Sequence, residues 1–176
     1  MQERDLYRPV CDWLSAFLRQ KHRSAQVWVE DTSRSSVAKF LRRHHLTAYV
    51  PWWVTLEIPV DVTGAALIVN RRHRPTLRLA IVEVKVRPIN LRDLSQTIGY
   101  AKVVQPDYAF LVSPNGWTEN LQRLVRDYSA DGCVGICPEA TPRYRPMGHS
   151  KSVGEERRCF SACWLTTSRP VSNQLN

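Results

Sequence analysis

Asp61, Glu83 and Lys85 are the residues of this chain best suited to chemistry, because each sets a charge in or beside a run of strand-forming apolar residues. Asp61 follows Ile58-Pro59-Val60, and 22 residues later Ile81-Val82-Glu83-Val84-Lys85-Val86 carries a carboxylate and an ammonium in one apolar segment. Side chains alternate along a strand, so Leu79, Ile81, Glu83 and Lys85 share one face, and Ala80, Val82, Val84 and Val86 share the other. Burying such charges is costly unless each finds a partner, a metal or a water-filled cleft. Glu-x-Lys on an exposed strand is only a solvated ion pair. This one has an Asp after an apolar stretch upstream, a hairpin-length segment between, and a polar helix downstream. Two carboxylates and a neighbouring ammonium suit metal-assisted hydrolysis of a phosphodiester.

The elements that must position these residues follow from periodicity. Leu6, Val10, Trp13, Leu14, Phe17 and Leu18 have helical spacing within residues 3–20, with Glu3 and Asp5 at the end that favours negative charge. Gln26 to Glu30 reads as a strand, Asp31-Thr-Ser-Arg-Ser-Ser as a capping turn, and Val37 to Arg43 as a short helix. Trp53 to Val60 is expected to be a strand ending at Asp61. Ala65 to Asn70 and Leu77 to Val86 then form a hairpin with a basic tip. Pro88 closes the second of these strands, and Leu91 to Val104 is a helix with Gln96 and Tyr100 on one face. Tyr108 to Ser113 is a buried strand, Thr118 to Tyr128 a helix and Cys133 to Cys137 a late strand. Residues 139–158 are rich in Pro, Arg, Gly and Ser and read as a basic loop or disordered segment, after which Cys159 to Thr166 returns as one more strand. Alternating helices and strands place the chain in the α/β class, as a mixed sheet flanked by helices. Residues 1–138 form one domain and 139–176 the extension.

With 176 residues and 43% hydrophobic content, the chain suits one domain of ordinary size. It has no apolar run long enough to span a bilayer and no signal-peptide core, so a soluble, cytoplasmic protein with no membrane partner is expected. Twenty-five Lys and Arg against 16 Asp and Glu give a net charge of +9, which favours polyanions such as DNA. One basic group holds Arg34, Lys39, Arg42, Arg43, His44 and His45. A second holds Arg71, Arg72, His73, Arg74 and Arg78, lies between Asp61 and Glu83, and is expected to hang near the metal site. Arg71, Arg72, Arg74, Arg42 and Arg43 are the candidate nucleic-acid contacts. The five cysteines cannot all pair internally; Cys133-x-x-x-Cys137 and Cys159-x-x-x-Cys163 leave zinc, a disulfide or plain thiols open.

Asp61, then Glu83-Val84-Lys85, then a helix bearing Gln96-x-x-x-Tyr100, resemble the PD-(D/E)xK nuclease superfamily over residues 3–137. The Gln-x-x-x-Tyr helix is similar to that of its branch containing recombination and CRISPR-associated exonucleases. The Pro of the motif is displaced by one position, and residues 31–53 look like a lineage-specific addition. The resemblance implies a restriction-endonuclease-like fold and a nuclease using Mg2+, for which Mn2+ substitutes, with no small-molecule cofactor. It implies Asp61, Glu83 and the Val84 carbonyl as metal ligands, and Lys85 orienting or deprotonating the attacking water. By the same resemblance Glu3, as a helix-one acid, would contact the metal or a second metal through water, and Gln96 and Tyr100 would order the site or touch the substrate backbone. Alternatives within the same fold are a non-catalytic adaptor, an RNase, or a junction resolvase, which would be a homodimer.

Overall fold

The computed structural model describes residues 2–70, 73–128, 134–137 and 161–165. Helix α1 (Arg4–Lys21) has Asp5 in its first turn and Arg19 and Lys21 in its last, signs that complement the helix dipole. Leu6, Leu14 and Leu18 are wholly buried along one stripe of it. Then come β1 (Ala25–Asp31), α2 (Val37–Arg43), two single 3-10 turns at Thr47–Tyr49 and Trp53–Thr55, β2 (Val62–Asn70) and β3 (His73–Val84). The chain continues through α3 (Leu91–Val104), β4 (Tyr108–Ser113) and α4 (Glu119–Tyr128) to β5 (Val134–Cys137) and β6 (Ser161–Leu165). The strands form one mixed six-stranded sheet in the order β1-β2-β3-β4-β6-β5. Only β3 and β4 run parallel; every other neighbouring pair is antiparallel. A parallel pair needs a crossover, and α3 supplies it. The α/β class and the mixed sheet flanked by helices are therefore as expected, and β6 comes from beyond residue 139. Among the described residues, no helix is long and apolar enough to cross a membrane.

The alternation read from β3 sorts its two faces. Ala80, Val82 and Val84 pack with Val62, Ala66, Phe110 and the buried stripe of α1. Leu77, Leu79 and Ile81 pack with Phe40, Leu41, Leu46, Leu56, Ala101 and Val104, so residues 37–60 and α3 cover the opposite face. Leu111 extends that face to Leu94, Trp117, Leu121 and Val125, joining α3 to α4.

Two local expectations are corrected. Trp53 to Val60 is not a strand, because its carbonyls are used elsewhere: Leu56 and Ile58 accept the Ala38 and Val37 N–H groups at 2.9 and 3.3 Å. These are orphan donors of the first turn of α2, which any helix must satisfy. Asp61 consequently stands just before β2 rather than ending a strand. Secondly, β3 ends at Val84, two residues short of Val86, although the Lys85 N–H still donates to the Val112 carbonyl at 2.9 Å.

Helix α1 lies tightly against the sheet at Gly64 of β2, where an added Cβ would stand 2.8 Å from Leu14 Cδ2 and 3.1 Å from Leu18 Cδ1. Both leucines are fully buried and have little room to yield. Gly64→Ala should cost about 1–3 kcal/mol in urea unfolding and Gly64→Val more, since overpacking scales with the volume forced in. Equal stability of all three proteins would show that α1 does not rest on β2 at this point.

Candidate metal centre

Asp61 sits where α1, β2, β3 and the turn after β1 meet. The Thr32 N–H donates to its backbone carbonyl at 2.9 Å, and the Thr32 hydroxyl donates to the Val60 carbonyl at 2.7 Å. Its carboxylate is held at both oxygens: the Tyr7 hydroxyl donates to Oδ1 at 2.9 Å and the Val84 N–H to Oδ2 at 2.8 Å. Burial, followed by the Asp61 charge, pushes the Tyr7 hydroxyl well above the ordinary tyrosine range, so it remains a donor. In an extended strand the N–H and C=O of one residue face the same neighbour. The Val84 carbonyl therefore lies on the Asp61 side of β3.

Glu83 is buried, with 7% of its side chain exposed, and its Oε1 accepts from Lys85 Nζ at 2.8 Å and from Gln96 Nε2 at 3.1 Å. The same Gln96 nitrogen donates to the Tyr100 hydroxyl at 3.0 Å, which joins α3 to the end of β3. Burial first, and then repulsion from Asp61, lifts the Glu83 carboxyl to about 6, with the Lys85 hydrogen bond pulling the other way. For Lys85, burial disfavours the charge, but the hydrogen bond and charge of Glu83 outweigh it and hold the ammonium above the ordinary lysine range.

A second ion pair orients α3. Arg87 donates to both oxygens of Asp93 at 2.7 and 2.8 Å, and Asp93 Oδ2 also accepts the Asn90 N–H at 3.0 Å, half of a capping box. Burial would raise the Asp93 carboxyl, yet the Arg87 and Asn90 hydrogen bonds prevail and hold it below the usual range. Gln96 lies one turn further along, so the Arg87–Asp93 clamp fixes where its amide can reach. Sequence reasoning missed Tyr7, Thr32, Arg87 and Asp93; the capping box Asn90-x-x-Asp93 was the one local signal available.

The other expected residues scatter. Glu3 precedes the first turn of α1 and lines a polar cleft of about 390 Å³ with Gln2, Arg4, Tyr7, Ser33, Arg34 and Asp61. Its charge reaches Glu83 and adds to the rise there. The Arg42 guanidinium lies 5.1 Å over the Trp53 ring. Arg43 pairs with Glu30 at 2.5 Å, where His44 also arrives at 2.8 Å. Arg71 and Arg72 fall outside the described residues, as do the side chains of four of the five cysteines; Cys11 is a free, half-buried thiol. Arg78 pairs with Asp107 at 2.7 Å. His73 and Arg74, the described residues of the basic turn, do not lie near Glu83. They stand at the opposite end of the hairpin, with Asn70 opposite His73 while Val62 lies opposite Val82. The nine residues from Arg74 to Glu83 span about 30 Å of strand.

Among the described residues, no group of three or more His, Cys, Asp or Glu side chains is gathered as a ready-made metal cluster. Asp61 and Glu83 nevertheless fit a magnesium ion, which takes one or two carboxylates and keeps several waters. Glu83 Oε2 accepts no hydrogen bond among the described residues, and the mutual repulsion of Asp61, Glu83 and Glu3 is what an added cation relieves.

The raised Glu83 carboxyl has a signed consequence for stability. A carboxyl raised on folding favours the folded state below its unfolded value, near 4.5, and that contribution is lost as pH rises through about 6. Metal-free wild type should therefore lose on the order of 2 kcal/mol between pH 4.5 and 7.5 relative to Glu83→Gln, measured by urea unfolding. Parallel pH profiles for the two proteins would contradict it. Comparison of the chain with protein-family models, with curated proteins and with solved structures finds no match.

Proposed function

We propose that this protein is a magnesium-dependent nuclease that hydrolyses phosphodiester bonds of DNA. The observation that carries the reading is the convergence of Asp61 and Glu83, 22 residues apart, at one end of the hairpin, with Lys85 and Gln96 both bonded to Glu83. The resemblance of Asp61, Glu83-Val84-Lys85 and Gln96-x-x-x-Tyr100 to the PD-(D/E)xK superfamily supports it, and the net charge of +9 suits a polyanionic substrate.

Asp61, Glu83 and the Val84 carbonyl would hold the ion. Bound magnesium supplies charge neutralisation at the scissile phosphate and a more acidic water. Lys85 spends one N–H on Glu83, and its two remaining donors find no partner among the described residues. They are free to orient the attacking water and to stabilise charge developing on the phosphate. Gln96 restrains the Glu83 carboxylate, and Tyr100 keeps its own O–H available for a substrate oxygen. Tyr7 is a positioning residue acting through Asp61.

End-labelled single-stranded, duplex and four-way-junction DNA, incubated with Mg2+, Mn2+ or chelator, tests this directly. Wild type should cut with either metal and not with chelator, and Lys85→Ala should lose at least about 100-fold in rate. Cutting that persists in chelator, or equally in Lys85→Ala, would overturn the mechanism. Binding of the same DNA with no cutting by wild type would favour the adaptor instead. Tyr7→Phe should raise the magnesium concentration for half-maximal cutting roughly 10-fold, the usual scale for loss of a hydrogen bond behind a metal ligand. An unchanged metal dependence would remove Tyr7 from the site.

A further inference from the structure

Arg74 is about 30 Å from Glu83 along β3, so the groups that hold substrate beside the metal must come from elsewhere. Lys85 and Arg87 are already paired with Glu83 and Asp93. Arg4 and Arg34 are not. Both line the cleft that contains Asp61, yet neither forms an ion pair with Glu3 or Asp61, which line it too, or with any other described carboxylate.

Each arginine is also tied to Asp61 through a neighbour. Arg4 stands three residues before Tyr7, on the same side of α1, and Tyr7 donates to the Asp61 carboxylate. Arg34 lies within a turn closed by the Ser35 N–H donating to the Thr32 carbonyl at 2.9 Å, and the Thr32 N–H holds the Asp61 carbonyl. Two guanidinium groups are thus carried to one cleft by separate elements, 30 residues apart in sequence. Their planar forks match phosphate oxygens and cannot be neutralised at accessible pH.

We propose that Arg4 and Arg34 form a phosphate subsite beside Asp61, which takes a nucleic-acid phosphate next to the scissile one. This rests on the nuclease reading and names its substrate contact. Gln96 and Tyr100 flank the metal centre on the Glu83 side and the two arginines on the Asp61 side, so a strand crossing the site meets donors on both. The phosphate is either an internal diester or the monoester at a strand end; the chemistry recognised is the same.

The test measures binding of a fluorescent single-stranded oligodeoxynucleotide, with a 5′-phosphate or a 5′-hydroxyl, in calcium across a KCl series. Arg4→Ala/Arg34→Ala should reduce the slope of log K against log salt by about 0.7, the value for the one phosphate the subsite takes. The control is Arg19→Ala/Arg23→Ala, which removes the same charge from exposed positions at the other end of α1, about 22 Å from Arg4. It should keep the wild-type slope. Arg34→Glu, on an exposed turn that tolerates it, should bind roughly 10-fold more weakly, a loss of about 1.4 kcal/mol. Loss confined to the 5′-phosphorylated probe assigns the subsite to a strand end; equal loss assigns it to the internal backbone. Equal slopes for the two double variants, or a wild-type slope in Arg4→Ala/Arg34→Ala, would overturn the subsite. Absence of cutting by wild type would remove the nuclease reading alone, because calcium binding is measured without turnover.

Discussion

The cost of keeping a carboxylate inside the protein at the end of β3 organises everything around it. Glu83 has 7% of its side chain exposed and a second carboxylate, Asp61, close enough to repel it. A buried charge on those terms persists only with donors, and the two that the fold provides arrive by different routes. Lys85 is local, the next residue but one along the chain. Gln96 comes from α3, and its arrival depends on the helix beginning at Asn90 and being turned correctly by the Arg87–Asp93 clamp. The parallel β3–α3–β4 crossover is therefore the means by which one carboxylate is satisfied, besides being a way to cover the sheet.

Asp61 answers a different constraint. It lies outside any ladder, at the first position before β2, where a backbone is ordinarily free to fray. Hydrogen bonds from Tyr7, Thr32 and Val84 remove that freedom on three sides, so the carboxylate is fixed in direction as well as place. Preorganisation of this kind separates a site from a chance pair of acids, since a ligand held before binding does not lose that entropy on binding. The segment from Asp31 to Val60 contributes twice: it buries Phe40, Leu41 and Leu56 against the sheet, and it delivers Thr32 and Arg34 to Asp61.

What could be read from the sequence was what depends on neighbours in sequence. Alternation placed Glu83 with Leu79 and Ile81, and the helix expected after Pro88 has its observed bounds, because both are set within a few residues. Tyr7 was hidden among the core residues of α1, because its hydroxyl meets an acceptor 54 residues away. Trp53 to Val60 has the composition of a strand, and nothing local reveals that its carbonyls cap α2 instead. Arg74 was misplaced for a simpler reason: closeness in sequence says nothing about closeness in space when the intervening residues form a long extended strand.

A chain of net charge +9 in which the charges of Asp61 and Glu3 reach Glu83 sets long-range and short-range electrostatics against each other. Far from the surface, the summed charge attracts a polyanion; within a few ångströms, the three carboxylates repel its phosphates. Lys85 is hydrogen-bonded to Glu83 and does not line the cleft beside Asp61. A site left in this state would draw nucleic acid to the protein and hold it off the residues best placed for chemistry. On the proposed reading, two kinds of positive charge resolve the conflict: a divalent cation between Asp61 and Glu83, and the guanidinium groups of Arg4 and Arg34 on the far side of Asp61. The first depends on metal concentration and the second does not. Metal loading should therefore act on whether a bound strand is seated over Glu83 more than on whether it is bound at all.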